Sequence, residues 1–352
     1  MPEPSHRGAP VDAPGISSRP EIDAPAGGAR EMLELTQLAD REVEELQALH
    51  TLDPDQVPAD AVKKRLGPLF WFAAGWFLLI VVLALAAPLM ERAGFLPDPT
   101  KAVKCANPPC SKLGILKQGY LLGTDNLSRD IFSRIVWGAR VSLLVGFSSI
   151  FFGLVLGGAI GVIAGFFKGK LETVLMALTD MFLAFPAILL ALAIITFAST
   201  SNPGEEPRLS RQVAVILALT IVSVPPIARL VRASTLVFAQ REFVLAARTL
   251  GASNLRIMVK EIVPNVLPPI FAFGIIGVAI AITAEGALAF LGLSLQPPNP
   301  TWGGMINDGQ KFYLDAPHMV LVPCAVLFLT VLSLNLAGDR LREYFDIKES
   351  VL

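Results

Sequence analysis

Two acidic residues, Asp180 and Glu285, lie within long apolar runs of the sequence and are the ionisable groups best placed to do chemistry. A carboxylate held inside a membrane costs several kcal/mol, so such residues mark either a functional site or a structural pairing. Together with the nearby Pro186, they could line a path across a membrane, contact another subunit or relay protons. They could also lie near span ends, or pair with neighbours and hold helices in register. The sequence leaves both interpretations open.

The residue sets that hydrolysis or metal binding requires are missing from the sequence. Its histidines, His6, His50 and His318, are far apart and form no hydrolase triad or zinc motif with their neighbours. The nearest approach to a Gly-x-x-x-x-Gly-Lys-Ser/Thr phosphate loop, residues 165–170, has the wrong spacing and adjoins an apolar run. We therefore expect no catalytic residue, no metal site and no cofactor bound by this chain, which cannot hydrolyse ATP alone.

Two of the three cysteines, Cys105 and Cys110, lie close together in a polar segment. If that segment faces an oxidising compartment, a local disulfide between them is possible. Cys324 lies in the last apolar run, where we expect it to act as a small packing residue.

The composition indicates that these residues are carried by membrane helices. The chain is 53% hydrophobic and 17% charged, and its mean hydropathy is +0.58. It is thus too apolar for a soluble globular protein. A helix needs roughly 20 apolar residues to cross a bilayer. Runs of sufficient length lie near residues 69–90, 141–167, 172–198, 212–233, 266–291 and 317–338. They predict an all-α polytopic membrane protein with six transmembrane helices.

The order of polar and apolar segments predicts the organisation of the chain. We expect residues 1–68 to form a cytoplasmic extension that is largely disordered, with residues 1–28 rich in Pro, Gly, Ala and Ser and a possible acidic helix after them. The basic cluster at 63–65 precedes the first span and places the N-terminus in the cytoplasm, so six spans return the C-terminus to the same side. The predicted parts are the first transmembrane helix at 69–90, an external loop at 91–140, a membrane core at 141–345 with five helices, and a cytoplasmic tail at 346–352. Loop 91–140 is basic, which is an exception to the positive-inside rule.

Four glycines recur at every fourth position of the second apolar run: Gly153, Gly157, Gly161 and Gly165. This spacing places them on one face of a helix and predicts close contact with another helix. The contact could belong to a transport core or to general helix packing.

A polar stretch at 240–265 separates the fourth and fifth apolar runs and is the most informative part of the sequence. Residues 242–250 favour a helix with apolar Val244, Ala247 and Leu250 on one face, and Gly251 suits a left-handed helix end. Ser253 or Asn254 can cap a second short helix that ends before Pro264. The pattern predicts a helix–turn–helix elbow in the cytoplasm, suited to docking in a groove of another protein.

This stretch resembles the EAA loop of ABC-importer permeases, with its Glu-x-x-x-Ala-Ala, Gly and Ile/Val-x-Pro pattern. In that family the loop is the coupling helix that seats in the ATPase subunit. The resemblance therefore assigns ATPase coupling to Glu242, Ala246, Ala247, Arg248, Gly251, Ala252, Ile257 and Pro264. The alternative is an ordinary amphipathic loop.

A second segment resembles the GTDxxGRD signature of the dipeptide/oligopeptide/nickel permeases, with signature residues Gly123, Thr124, Asp125, Arg129 and Asp130. The chain departs from this signature at Ser128, where the family has Gly, and the change is expected to alter a local turn. Further resemblances extend over about residues 120–345. The short distance from the first span to the signature is typical of the C-type permease of a pair.

The resemblance implies a type I ABC-importer permease fold in the bacterial cytoplasmic (inner) membrane, working by alternating access in contact with membrane lipid. The implied partners are a B-type permease in a heterodimer, two ATPase subunits that carry ATP and Mg²⁺, and an external solute-binding protein, with no nucleic acid. The cargo could be a dipeptide, an oligopeptide, a nickel chelate or a related solute. The competing class is a secondary carrier that uses Asp180 and Glu285 to couple protons. Such a carrier predicts inverted repeats, which the sequence lacks.

Overall fold

The computed structural model describes residues 67–104, 110–199, 209–295 and 299–350. Cys105 and almost all of the predicted extension 1–68 therefore lie outside the described residues. Within them the chain is helical apart from its loops, and a single isolated β-bridge joins Thr124 to Asp130.

The helices are numbered in chain order. Their bounds are α1 Pro68–Arg92, α2 Ile131–Phe166, α3 Lys170–Leu183, α4 Ala187–Ser199, α5 Arg211–Phe238, α6 Glu242–Thr249, α7 Asn254–Ile257, a π-helical segment Met258–Ile262, α8 Val263–Phe290, α9 Trp302–Gly309, a 3₁₀ turn Gln310–Phe312, and α10 His318–Ser350.

Among the described residues, five helices are long and apolar enough to cross a membrane: α1, α2, α5, the continuous helix from α7 to α8, and α10. A sixth span is formed if α3 and α4, which meet at a bend of 88°, are counted as one. The predicted all-helical membrane fold is confirmed. The run 172–198 is two helices rather than one, because Pro186 lacks the N–H that a continuous helix needs and restricts the residue before it.

The second span starts earlier than its apolar run, so the predicted boundary between the loop 91–140 and the core at residue 141 is wrong. Helix α2 begins at Ile131, after Asp130, whose carboxylate accepts a hydrogen bond from the Ser133 backbone N–H at 2.8 Å. The Ser133 hydroxyl in turn donates to the Pro97 carbonyl at 2.6 Å. Polar side chains of this first turn are buried against protein, which hydropathy cannot detect.

The glycine stripe of α2 packs directly on α5, as its spacing predicts. A Cβ atom added at Gly157 would lie 2.8 Å from the Val224 carbonyl oxygen, and one at Gly161 would lie 2.6 Å from that of Ala228. Helix α2 also packs on α1 and α8 through a buried cluster that includes Ile282. The backbones of α2 and α5 therefore approach more closely than any residue with a side chain would allow.

Candidate functional site

The elbow, residues 240–265, begins with the eight-residue helix α6, whose end has the geometry that its sequence predicts. Gly251 adopts a φ of +79°. The Ala252 N–H donates to the Ala247 carbonyl and the Gly251 N–H to the Arg248 carbonyl, both at 3.0 Å. These two bonds define a Schellman motif, which ends the helix and reverses the chain.

The second helix of the elbow does not end before Pro264, contrary to the sequence prediction. Ser253 caps α7 by accepting from the Arg256 N–H at 3.4 Å, and the helix then continues through the π-helical segment into α8. In that segment the Val263 N–H donates to the Met258 carbonyl, five residues earlier. Pro264 therefore falls in the first turn of α8, where a missing N–H is tolerated, and the elbow is continuous with a membrane span.

One face of the elbow is anchored in the protein. Val244, Ile257 and Ile262 are fully buried in a cluster that includes Phe166 of α2 and Val231 of α5. The Arg248 guanidinium also lies over the Phe166 ring, 5.5 Å from its centroid. The elbow is thereby held against the C-terminal end of α2 and the C-terminal half of α5.

The opposite face of the elbow is exposed and contains large apolar side chains. Leu250 is 88% exposed and Leu255 is 67% exposed, beside the exposed Glu242 and Ala246. Leu250 shares a three-residue spacing with Val244 and Ala247 in the sequence, but it differs from the buried Val244 because it is the C-cap residue, where the chain leaves the helix. Apolar side chains at the tip of a polar turn are typical of a docking surface. The spacing of residues in the sequence does not predict that Leu250 and Leu255 are exposed.

The signature hairpin, residues 123–130, is a tight turn organised by Asp125. Its Oδ1 accepts from the backbone N–H groups of Leu127 at 2.9 Å and Arg129 at 2.8 Å, while Arg129 Nε donates to its Oδ2 at 2.7 Å. Thr124 Oγ1 accepts from the Leu113 N–H at 2.9 Å. A Cβ added at Gly123 would lie 2.0 Å from the Leu113 carbonyl oxygen, so only glycine fits there.

Ser128 occupies a left-handed conformation in this hairpin, with a φ of +62°. Its N–H donates to the Asp125 carbonyl at 3.1 Å and its carbonyl accepts from the Val103 N–H at 2.7 Å. The turn is thus formed with Ser in the position where the signature has Gly, at the cost of a strained backbone.

The hairpin is joined to α9 by an ion cluster that the sequence did not reveal. The buried Arg134 approaches Asp125 and Asp308 at 3.7 Å each, and Arg129 approaches Asp308 at 3.8 Å. Burial raises the pKa of the neighbouring Asp130 carboxyl, although the N–H groups of Ser133 and Phe132 act in the opposite direction. Three signature residues, Asp125, Arg129 and Asp130, are therefore buried structural groups.

Asp180 is paired on a partly exposed surface of α3. Its Oδ1 accepts from Nη2 of Arg229 on α5 at 2.6 Å, and both side chains are about half exposed, at 55% and 53%. A second pair, Glu172 with Arg232, links the same two helices closer to the elbow, with Nε at 2.9 Å from Oε1. These pairs support the interpretation that Asp180 holds helices in register. Pro186 lies in the bend between α3 and α4.

Glu285 is fully buried in α8 and links three helices. Its carboxylate accepts from the Ser294 hydroxyl at 2.5 Å and from the Ser142 hydroxyl of α2 at 3.3 Å. Ser142 Oγ accepts in turn from the Trp302 N–H of α9 at 3.4 Å, and Trp302 Nε1 donates to the Ile135 carbonyl at 3.1 Å. The sequence analysis identified neither hydroxyl partner: Ser142 is distant in the chain, and Ser294 lies in the loop after α8, whose path a residue pattern does not show.

In the described part of the chain no group of three or more His, Cys, Asp or Glu could hold a metal ion. The predicted disulfide of Cys105 with Cys110 stays a prediction, because Cys105 lies outside the described residues. Cys324 is a free thiol on α10.

Comparisons with known proteins agree with this arrangement. Residues 157–350 match the family described as binding-protein-dependent transport system inner membrane component. The chain is 38% identical over 271 residues to the dipeptide transport system permease protein DppC of Alkalihalophilus pseudofirmus, a match that spans 77% of this chain and 86% of that protein. It is 39% identical over 229 residues to the glutathione transport system permease protein GsiD of Pectobacterium atrosepticum, which spans 65% of this chain and 73% of that protein.

A solved structure shows the same fold. A chain of the MetNI methionine ABC transporter in an inward-facing conformation superposes with a TM-score of 0.51 and 23% identity, over 61% of this chain and 97% of that one. The family match covers more than half of the chain and includes the elbow, α5 and the C-terminal end of α2. The chain therefore belongs to the family of binding-protein-dependent transport system inner membrane components, the ABC-importer permeases.

Proposed function

We propose that this chain is the C-type permease subunit of an importer that moves di- or oligopeptides across the bacterial inner membrane. Two cytoplasmic ATPase subunits, which carry ATP and Mg²⁺, would supply the energy, one through this chain's elbow and one through a B-type permease. An external solute-binding protein would deliver the cargo. Both termini of the chain are cytoplasmic in this arrangement.

The observation that carries the proposal is the two-sided elbow. Its inner face is fixed by fully buried Val244, Ile257 and Ile262, while its outer face exposes Leu250 and Leu255. The outer face is available for a groove on an ATPase subunit, and the inner face connects it to α2 and α5.

The elbow is also mechanically connected to the membrane. The helix from Asn254 to Phe290 is continuous, so a displacement of the elbow moves α8 with it. Helix α5 reaches the elbow at Phe238 and is packed on the α2 glycine stripe. Nucleotide would drive transport by binding the ATPase pair differently in two conformations, which is what a conformational switch requires.

The peptide cargo is proposed from the relatives, whose names specify a dipeptide and glutathione. Both are small zwitterions with amide bonds. The cytoplasmic position of the elbow is supported by the basic residues around it, among them Arg241, Arg248, Arg256 and Lys260.

The two membrane carboxylates give little support to a proton-coupled carrier. Asp180 already has an arginine partner, and Glu285 is enclosed by hydroxyl donors. Alternating access driven by ATP requires no titrating group in the membrane.

The proposal is tested by purifying the chain from its native membrane in mild detergent, identifying bound proteins and measuring ATP hydrolysis. We expect a second permease and two ATPase subunits, with vanadate-sensitive hydrolysis and peptide uptake after reconstitution. A lone chain that moved solute in liposomes under a proton gradient without ATP would overturn the proposal in favour of a carrier.

A further inference from the structure

Two adjoining cavities open at the end of the molecule opposite the elbow. The first has a volume of about 380 Å³ and lies between the end of α1, the N-terminal part of α2, the start of α5 and the residues Leu295, Asn299 and Pro300. The second, about 190 Å³, lies between Leu295, Asn299, α8 and α9. Both are lined by Leu295 and Asn299, so the two cavities adjoin at these residues, and the pair is here called the outer cleft. The larger volume is within the range of about 300–1,000 Å³ that is usual for small-molecule sites.

The wall of the outer cleft carries charges of both signs. Arg140 lines the first cavity with an exposed side chain, and among the described residues it has no carboxylate partner. Its guanidinium lies 5.6 Å from the centroid of the Trp137 ring. In the second cavity the buried Arg134 makes only long ionic contacts, at 3.7 Å. The cleft therefore offers two guanidinium groups, of which that of Arg140 is available to a ligand.

The acidic groups of the first cavity are Glu91 and Asp98. Hydrogen bonds from the Thr100 hydroxyl and N–H, and from Lys101, lower the pKa of Asp98 to about 2, so this carboxylate is ionised but already bound. Glu91 makes no ion pair with any described residue. Glu91 and Arg140 are thus the acidic and the basic side chain of the first cavity that make no ion pair with a described residue, although the charge of Glu91 acts on Lys101.

Trp137, which lines the first cavity, carries an unpartnered hydrogen-bond donor. The Trp137 indole Nε1 is buried and donates to no acceptor in the described part of the chain. A buried donor without an acceptor is costly, and a carbonyl group on a bound molecule would satisfy it. The amides of Gln212 and Asn299 line the same cavity.

We propose that the outer cleft recognises both termini of a peptide as it enters the permease. Arg140 binds the α-carboxylate, Glu91 binds the α-ammonium group, and Trp137 Nε1 donates to the peptide carbonyl between them. This inference rests on the proposed import of peptides and adds the residues that select free, zwitterionic cargo. An arginine fork suits a carboxylate because it presents paired donors.

The test uses the complete importer with its binding protein in proteoliposomes. Uptake kinetics are measured for a free dipeptide, for its C-terminal amide and for its N-acetyl form. The quantity compared is the free-to-amide ratio, which is kcat/KM for the free dipeptide divided by kcat/KM for its C-terminal amide. The same binding protein serves every variant, so its preference among the cargoes cancels when the ratio of a variant is divided by that of the wild type. For Arg140→Gln we expect this ratio to fall about tenfold, as for loss of a charged hydrogen bond. Arg140→Lys should retain most of the preference.

Two further variants sharpen the test. Glu91→Gln should reduce the preference for the free over the N-acetyl peptide and leave the free-to-amide ratio unchanged. Arg92→Gln is the matched control, since Arg92 is an exposed arginine at the same end of α1 but does not line the cleft. It should behave as the wild type.

The outcomes distinguish a failure of the proposed peptide import from a failure of the proposed role of the outer cleft. If the wild-type importer moves no peptide, the proposed function and the cleft assignment fail together. If the wild type imports peptides and Arg140→Gln slows all three cargoes equally or not at all, only the cleft assignment is rejected. Loss of binding-protein-stimulated ATP hydrolysis in Arg140→Gln with unchanged selectivity would instead identify the cleft as a seat for the binding protein, and would also reject it.

Discussion

The closest approach of α2 and α5 occurs at the glycine stripe, and replacing Gly161 with alanine tests its energetic importance. The added Cβ would lie 2.6 Å from both the Ala228 carbonyl oxygen and the Val231 Cβ, and 2.9 Å from the Arg232 nitrogen. Two of these three atoms belong to the backbone, so no side-chain rotation relieves the contact. Helix α5 must shift away from α2 to accommodate the methyl group.

The magnitude follows from two opposing effects. Overpacking of a well-packed core costs about 1–3 kcal/mol. Replacing glycine by alanine within a helix stabilises the folded state by about 1 kcal/mol, because alanine has the higher helix propensity. We therefore expect Gly161→Ala to lower the free energy of unfolding by up to about 2 kcal/mol.

A matched control lies on the same helix. A Cβ added at Gly158 would meet no atom of a neighbouring element within 4 Å, so Gly158→Ala gains the helical contribution without a clash. The free energies of unfolding of the two variants should differ by about 1–3 kcal/mol, which is the cost of the clash alone, because the helical contribution of alanine is common to both. The assay is unfolding of the purified chain in mixed micelles titrated with SDS, followed by far-UV circular dichroism. Equal stabilities of the two alanine variants would refute the close contact of α2 with α5.

Three further substitutions test individual features. Ser128→Gly should raise the free energy of unfolding by about 1 kcal/mol in the same assay, because glycine adopts the left-handed conformation without strain; no gain would contradict the strain at this turn. Glu285→Ala should cost about 1–3 kcal/mol for each of the two hydroxyl donors that it leaves buried, while Glu285→Gln should cost less because its amide oxygen still accepts; equal losses would argue against the hydrogen-bond network. Gly251→Pro should abolish uptake while ATP hydrolysis continues, because proline cannot adopt a φ of +79°. Gly94→Pro, at the same φ in the loop after α1, should leave coupling intact, and normal uptake in Gly251→Pro would contradict the role of the elbow.

The sequence predicted the features that depend on local chemistry. Hydropathy located the spans because a bilayer demands long apolar helices. The end of α6 at Gly251 was predictable because a left-handed residue is needed there and glycine provides it without cost. The resemblance to importer permeases was confirmed because it rested on motifs in the correct order along the chain.

Features that depend on tertiary contacts were not predictable. The start of α2 at Ile131 depends on buried polar partners such as Pro97, which is distant in sequence. The passage of the helix through Pro264 depends on a π-helical segment whose hydrogen bonds a residue pattern does not encode. The pairing of Asp180 with Arg229 joins two helices far apart in the chain. The exposure of Leu250 follows from where α6 ends, which the three-residue spacing of Val244, Ala247 and Leu250 does not show.

The exposed face of the elbow is proposed to transmit the work of the ATPase subunits, and replacing Leu250 with aspartate tests this role. Full burial of a leucine side chain contributes about 1.5–3 kcal/mol, so placing a carboxylate there should weaken ATPase association by more than about tenfold. Leu314→Asp is the control, because Leu314 is 93% exposed in the turn before α10, away from the elbow. The measurement is the amount of ATPase subunit that co-purifies with each variant, together with binding-protein-stimulated ATP hydrolysis. We expect Leu250→Asp to lose both the co-purifying ATPase subunit and the stimulated ATP hydrolysis, and Leu314→Asp to keep wild-type values of both. Full association and stimulated hydrolysis in Leu250→Asp would contradict the proposed role of the elbow.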